Sequence, residues 1–253
     1  MDIEIIPCLN DNYSYLIKDD QTNTVAIIDP SEFGPCDEKI NQKYKKLDFI
    51  LNTHHHFDHV GGNTELKKKY SSKILGFEKD KKRIPSIDVL LKDDQEFRIG
   101  NLNFRTIFIP GHTLGHIAFY LEKEKIVFTG DTLFSLGCGR IFEGTYQLMF
   151  DSLNKIKSLP GETEIYCGHE YTNNNLEFCL KFNPNNNYLK EKEKIIKAKI
   201  KEKKPTIPTT IKDEIQTNIF LRYDDLDVKN TLNLKNAPDL EIFKKLRDLK
   251  DNF

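Results

Sequence analysis

Over the first two thirds of the chain, apolar positions come in short runs, some alternating with polar ones, separated by turn-forming residues. Residues 2–6, 13–18 and 24–29 read as strands, with Asn10-Asp11-Asn12 and Asp19-Asp20 as turn signals between them. Residues 37–44 read as a helix leading into a short buried strand at 48–53. A second helix is expected at 63–70. Further strands are expected at 73–77, 87–91, 102–109, 116–121, 125–129 and 164–167. Gly100-Asn101 should turn a hairpin between residues 96–99 and the strand after them. Residues 145–159 place Leu148, Ser152, Ile156 and Leu159 at helical spacing.

Beyond about residue 172 the pattern changes. Residues 181–204 are highly charged with a helical apolar stripe, ended by Pro205 and Pro208. Residues 239–250 form a further amphipathic helix with Leu240, Phe243, Leu246 and Leu249 on one face. The pattern predicts a strand-rich domain over 1–171 and a helical domain over 172–253, an α+β chain without internal repeats.

Composition narrows the function classes. The 253 residues include 38 basic and 39 acidic side chains, a formal charge of −1, so no global field points to nucleic acid or an anionic membrane. The opening Met1-Asp2-Ile3-Glu4 is acidic where a secretory leader is basic, and no apolar run approaches the ~20 residues of a membrane span. Cys8, Cys36, Cys138, Cys167 and Cys179 are odd in number and form no CxxC pair. Free thiols in a reducing, cytoplasmic setting are the expectation.

The chemistry concentrates in one stretch, Thr53-His54-His55-His56-Phe57-Asp58-His59-Val60-Gly61-Gly62. Extended spacing puts His54 and His56 on one side of the chain, so both imidazoles can meet one cation. Asp58 and His59 follow a bend and can serve a second. Imidazole nitrogen and carboxylate oxygen without thiolate suit zinc or a neighbouring divalent metal. Three later segments repeat one arrangement, a strand, then a glycine or turn, then a ligand-type residue: His112 with His116 in 109–116, Asp131 in 128–134, and His169 in 166–171. All seven histidines fall in these segments. By alternation His55 points away from the His54/His56 side, and His116 reads as an orienting partner rather than a ligand.

This combination resembles the metallo-β-lactamase superfamily, and more narrowly glyoxalase II, the hydroxyacylglutathione hydrolases. Supporting stretches are Leu9–Tyr13, Thr53–Gly62, Phe128–Phe134, Gly137-Cys138-Gly139-Arg140, Glu143–Thr145, Tyr166–Tyr171 and the closing Arg247–Phe253. The resemblance implies a four-layer αββα sandwich followed by a helical, glutathione-binding C-terminal domain. It implies two divalent metal ions, zinc with iron or manganese as substitutes. His54, His56 and His112 would hold the first, Asp58, His59 and His169 the second, and Asp131 would bridge them.

The implied reaction is hydrolysis of S-(2-hydroxyacyl)glutathione, chiefly S-D-lactoylglutathione, in methylglyoxal detoxification. Two nearby ions sharing a water would lower its pKa toward neutrality, and Asp58 or Asp131 would take the proton. Arg140, Phe142, Tyr171, Arg247 and Lys250 are the substrate-binding candidates. Arg140 stands where relatives often carry lysine. Phe142 replaces a tyrosine that touches substrate, and Phe57 replaces a common tryptophan. The expected partner is therefore a small-molecule glutathione thioester, with neither nucleic acid nor membrane, and the chain acting as a monomer or weak homodimer. The rival readings are an RNA-processing nuclease of the same fold, a one-iron sulfur-oxidising relative, and a metal-binding protein with a degenerate site.

Overall fold

Two runs of apolar residues buried on both faces, Asn12–Lys18 and Val25–Ile28, anchor the first half of the chain. The computed structural model describes residues 1–253, which divide into two compact units: Met1–Phe108 with Leu114–Gly130, and Ile109–Thr113 with Asp131–Phe253.

In the first unit the elements run β1 (Asp2–Cys8), β2 (Asn12–Lys18), β3 (Val25–Ile28), α1 (Phe33–Lys43), β4 (Phe49–Leu51), α2 (Phe57–Val60), α3 (Asn63–Tyr70), β5 (Lys73–Phe77) and β6 (Val89–Leu91). The six strands form one sheet in sequence order. β1, β2 and β3 are antiparallel, whereas β3 to β6 are parallel. Parallel neighbours need crossovers, which α1 supplies between β3 and β4, and α2 with α3 between β4 and β5. α1 begins at Phe33, four residues ahead of the sequence expectation, because Pro35 falls in its first turn, where a missing N–H costs nothing.

β7 (Glu96–Ile99), β8 (Leu102–Phe108), β9 (Ile117–Leu121) and β10 (Ile126–Gly130) follow as consecutive antiparallel neighbours. The hairpin expected at Gly100-Asn101 is present, with Ile99 opposite Leu102 and Gly100 at φ 60°. Glycine suits it twice over. The left-handed backbone disfavours a side chain, and a Cβ there would lie 2.4 Å from Asp19 Oδ2, which accepts the Asn101 N–H. The two sets of strands meet face to face. Tyr15 of β2 and Phe128 of β10 have ring centroids 5.2 Å apart, and Phe77 stacks on Phe108 at 4.8 Å.

The second unit holds a small hairpin of β11 (Leu133–Phe134) and β12 (Gly137–Cys138), then α4 (Tyr146–Lys157) and β13 (Glu164–Cys167). Next come α5 (Thr172–Phe182), α6 (Asn187–Lys201), β14 (Thr209–Thr210) paired with β13, α7 (Ile211–Thr217), α8 (Leu226–Thr231) and α9 (Asp239–Asp251). The single helix expected over 181–204 is instead two. Pro184 lacks the N–H that would continue α5, and Asn186 restarts the helix by accepting the Leu189 N–H at 3.2 Å. Phe178, Phe220 and Phe243 fill the core between helices. Fully buried Glu214 is satisfied from four sides, by Leu136 N–H, Thr209 O–H, the Asn218 amide and Lys192.

Phe104 is fully buried in β8 and lies 5.3 Å from the Phe97 ring. Phe104→Ala should cost about 3–5 kcal/mol, read as a lowered urea midpoint for the strand-rich unit.

Candidate metal centre

The first unit gathers its ligand-type residues around one carboxylate, Asp29, directly after β3. Its backbone is left-handed, at φ 46°. Oδ1 accepts the Thr53 N–H at 2.8 Å, and Oδ2 accepts the Thr53 hydroxyl at 2.6 Å while lying 3.0 Å from His59 Nδ1. These contacts set two imidazoles. A carboxylate facing Nδ1 keeps the proton there and leaves His59 Nε2 as the donor to a metal. Thr53 has spent its proton on Asp29, so its oxygen, 3.0 Å from His54 Nδ1, accepts a proton from that ring and frees His54 Nε2 in the same way.

The rings of His54 and His56 lie 4.7 Å apart, and those of His54 and His59 4.2 Å. Ligand atoms of Asp29, His54 and His59 all fall within 4.8 Å of one another. Since Thr53 and His59 occupy its oxygens, Asp29 orients the histidines. Asp58, in the first turn of α2, is held by the Asn12 amide, which donates to its carbonyl at 3.1 Å and to Oδ2 at 3.0 Å. His55 turns the other way, with Nδ1 3.3 Å from Asp80 Oδ2 and Nε2 3.4 Å from Arg83 Nη1. His116 stacks on His54 with centroids 4.5 Å apart.

The second unit contributes His112, Asp131 and His169, all buried. His112 Nδ1 lies 2.8 Å from the Arg140 carbonyl oxygen, which can only accept, so the proton sits on Nδ1 and the lone pair on Nε2. That Nε2 is 3.4 Å from Asp131 Oδ2, and His169 Nε2 approaches the same oxygen at 3.2 Å. An imidazole lone pair facing a carboxylate oxygen repels it unless a cation lies between them. The donor set, nitrogen and oxygen without sulfur, therefore fits a divalent metal ion. The turn that carries Arg140 must pass very close: a Cβ on Gly139 would lie 1.9 Å from the Asp131 carbonyl oxygen, so only glycine fits.

The five substrate-binding candidates all lie in this second unit. Phe142 is 62 % exposed and meets the His112 ring edge-on at 5.2 Å, and Tyr171 stacks parallel on His169 at 4.6 Å. Arg140 is mostly exposed, its Nε 3.4 Å from Asp251. Arg247 is buried and committed internally, donating to the Cys138 carbonyl at 2.7 Å and to Asp251 at 2.9 Å. Lys250, over the rings of Phe178 and Phe253, is pushed down to about 8 by burial and by the neighbouring guanidiniums of Arg247 and Arg140.

Sequence reasoning passed over Asp29, Asn12, Asp80 and Arg83. Asp29 carried a signal, since Ile28-Asp29 repeats the pattern of a strand running straight into a ligand-type residue. The other three become visible only through tertiary contacts.

Residues 10–169 match the metallo-beta-lactamase superfamily, and residues 170–253 match the hydroxyacylglutathione hydrolase C-terminus. A protein of Pelagibacter ubique named hydroxyacylglutathione hydrolase is 53% identical over all of this chain and all of its own length. This chain belongs to the hydroxyacylglutathione hydrolase family. Among solved structures, that of ETHE1 from Myxococcus xanthus shares the fold at 23% identity and a TM-score of 0.68, covering 98% of this chain and 97% of its own. TTHA1623 in a di-iron-bound form is similar over 67% of this chain and 92% of its own, at 26% identity and a TM-score of 0.55. The family assignment bears out the metallo-β-lactamase-like α+β fold read from the sequence.

Asp29→Ala should leave secondary structure intact and weaken retention of added divalent metal about ten- to hundred-fold. Competition against a chromophoric chelator measures this directly.

Proposed function

We propose that this chain hydrolyses S-(2-hydroxyacyl)glutathione thioesters, chiefly S-D-lactoylglutathione to D-lactate and glutathione, and so acts in methylglyoxal detoxification. The observation that carries the reading is identity of 53% over the full length of a protein named hydroxyacylglutathione hydrolase. The buried histidine and aspartate sets supply the chemistry the reaction needs. In this reading residues 1–171 are the catalytic domain and residues 172–253 bind glutathione.

His54, His56 and His112 would hold one divalent ion, Asp58, His59 and His169 a second, and Asp131 would reach both. Zinc is the first choice. Iron suits nitrogen and oxygen donors as well, and so does manganese; the similar TTHA1623 has been solved in a di-iron-bound form. Bound there, two such ions supply the Lewis acidity that polarises a carbonyl and makes water acidic near neutrality.

The remaining work falls to the protein. Asp58, steadied by Asn12, and Asp131 are the carboxylates placed to take the proton as a water oxygen attacks the thioester carbonyl carbon. The carbon–sulfur bond then breaks, and the departing thiolate takes up a proton to leave as glutathione. Asp29, Thr53 and the Arg140 carbonyl hold imidazole protons on Nδ1, so no reorganisation of the ligands is needed during turnover.

Tyr171 and the exposed ring of Phe142 flank the histidines of their unit and offer stacking surface to the substrate. Arg140 and Lys250 are the cations for its carboxylates. Arg247 shapes that site by holding the Cys138 carbonyl and Asp251 in place.

Purified, metal-replete protein should release thiol from S-D-lactoylglutathione. His56→Ala or Asp131→Ala should lower kcat at least about a hundredfold. Absence of thioesterase turnover in the metal-replete wild type would overturn the substrate assignment.

A pH profile tests Lys250. Its pKa of about 8 in the free protein means the cation is present below that pH and lost above it. The groups that set it are Arg247 on α9, Arg140, and Cys179 and Glu177 on α5. kcat/KM should therefore fall above pH about 8, through KM rather than kcat. Lys250→Arg should remove that alkaline limb, since a guanidinium stays charged.

A further inference from the structure

We infer that Cys8 and Cys36 are a modification site: a hydroperoxide converts this buried thiol pair into a disulfide, and a thiol reductant restores it. Cys8 closes β1, and Cys36 lies in the first turn of α1. Their sulfurs are 3.8 Å apart inside the core of the first unit, among Ile6, Leu16 and Ile40. A disulfide needs about 2.05 Å between sulfurs, so the two must approach by roughly 1.8 Å.

The start of α1 can supply that movement. Glu32 caps it without a side-chain hydrogen bond, and Gly34 faces open space. The two segments are already tied together, because the Leu9 N–H donates to Glu32 Oε1 at 2.6 Å.

The pair is also chemically asymmetric. The hydrogen bond from Cys36 holds the Cys8 thiol below its ordinary value; the same contact and burial push Cys36 well up. Cys8 is therefore the attacking sulfur and Cys36 the resolving one. The other three cysteines are disposed differently. Burial pushes Cys167 and Cys179 up to about 12 and also raises Cys138, and Cys167 and Cys179 donate to backbone carbonyls.

The steps balance. The Cys8 sulfur attacks one peroxide oxygen, the O–O bond breaks, and with hydrogen peroxide the other oxygen leaves as water, giving a sulfenic acid on Cys8. The Cys36 sulfur then attacks Cys8. The S–S bond forms, the S–O bond breaks, and the hydroxyl departs with the Cys36 proton as a second water. Two electrons pass from the sulfurs to the peroxide.

Cys8 Sγ lies 3.5 Å from Ser14 Oγ, which donates to the Asp29 carbonyl at 2.7 Å, so the modification sits one side chain from the carboxylate that orients His54 and His59.

The test uses the full chain, treated with hydrogen peroxide and then denatured and alkylated. Two of the five thiols should be lost. Before alkylation the intact mass should fall by about 2 Da, a cross-linked peptide should contain Cys8 and Cys36, and dithiothreitol added before the alkylating agent should reverse all three changes. In Cys36→Ser, a dimedone adduct should mark sulfenic acid trapped on Cys8. Retention of all five alkylatable thiols, or cross-links confined to Cys138, Cys167 and Cys179, would overturn the proposal. None of these readings depends on thioesterase activity, so the inference and the proposed function fail separately.

Discussion

The arrangement on which the first unit's chemistry rests is a single buried carboxylate shared among three donors. Asp29 leaves β3 in a left-handed conformation and turns both oxygens toward the segment that follows β4. One backbone N–H, one hydroxyl and one imidazole meet it there, so the ends of two neighbouring parallel strands are locked together by charge-assisted hydrogen bonds. Burial strengthens these contacts and makes any unmet one costly. The tautomers of His54 and His59 follow from them. Without that corner the two rings could flip or shift their protons, and the segment would be merely rich in histidine.

The same logic recurs in the second unit with different parts. The orienting acceptor for His112 is a main-chain carbonyl, at Arg140, in place of a carboxylate. Glycines at 111 and 139 let the two segments pass at distances no other residue allows. A Cβ at Gly111 would lie 2.8 Å from Met149, and one at Gly139 would meet the Asp131 carbonyl oxygen. Both units thus present imidazole Nε2 atoms with their Nδ1 protons already accounted for, which is the state a divalent ion requires of its ligands.

Much of this is legible in the amino-acid sequence. Alternating or continuous apolar runs located the strands, because a residue pair's position on a pleated sheet repeats every two residues whatever surrounds it. The Gly100-Asn101 hairpin was readable for a local reason, the backbone freedom of glycine. The helix break at Asn183-Pro184 is harder to see, because the charged, helically spaced run over 181–204 includes the proline whose missing N–H interrupts it. The ligand-type residues announced themselves by type and by position after strands. Their supports did not. Asn12 and Asp58 are 46 positions apart, His55 and Asp80 are 25, and nothing in either local stretch names the other. Arg247 was equally opaque: its helix spacing suggests an exposed cation, whereas the fold buries it against the Cys138 carbonyl.

Position 140 illustrates a division of labour within one residue. Its carbonyl fixes the protonation of His112, while its side chain extends into solvent beside Asp251. Every amino acid brings the same carbonyl, so no coding change there can disturb the imidazole as long as the backbone keeps its path. The side chain, beside Asp251, is thus free to vary in reach and hydrogen-bonding geometry without touching the imidazole. The surface beside Asp251 can thereby change while the protonation of His112 stays constant.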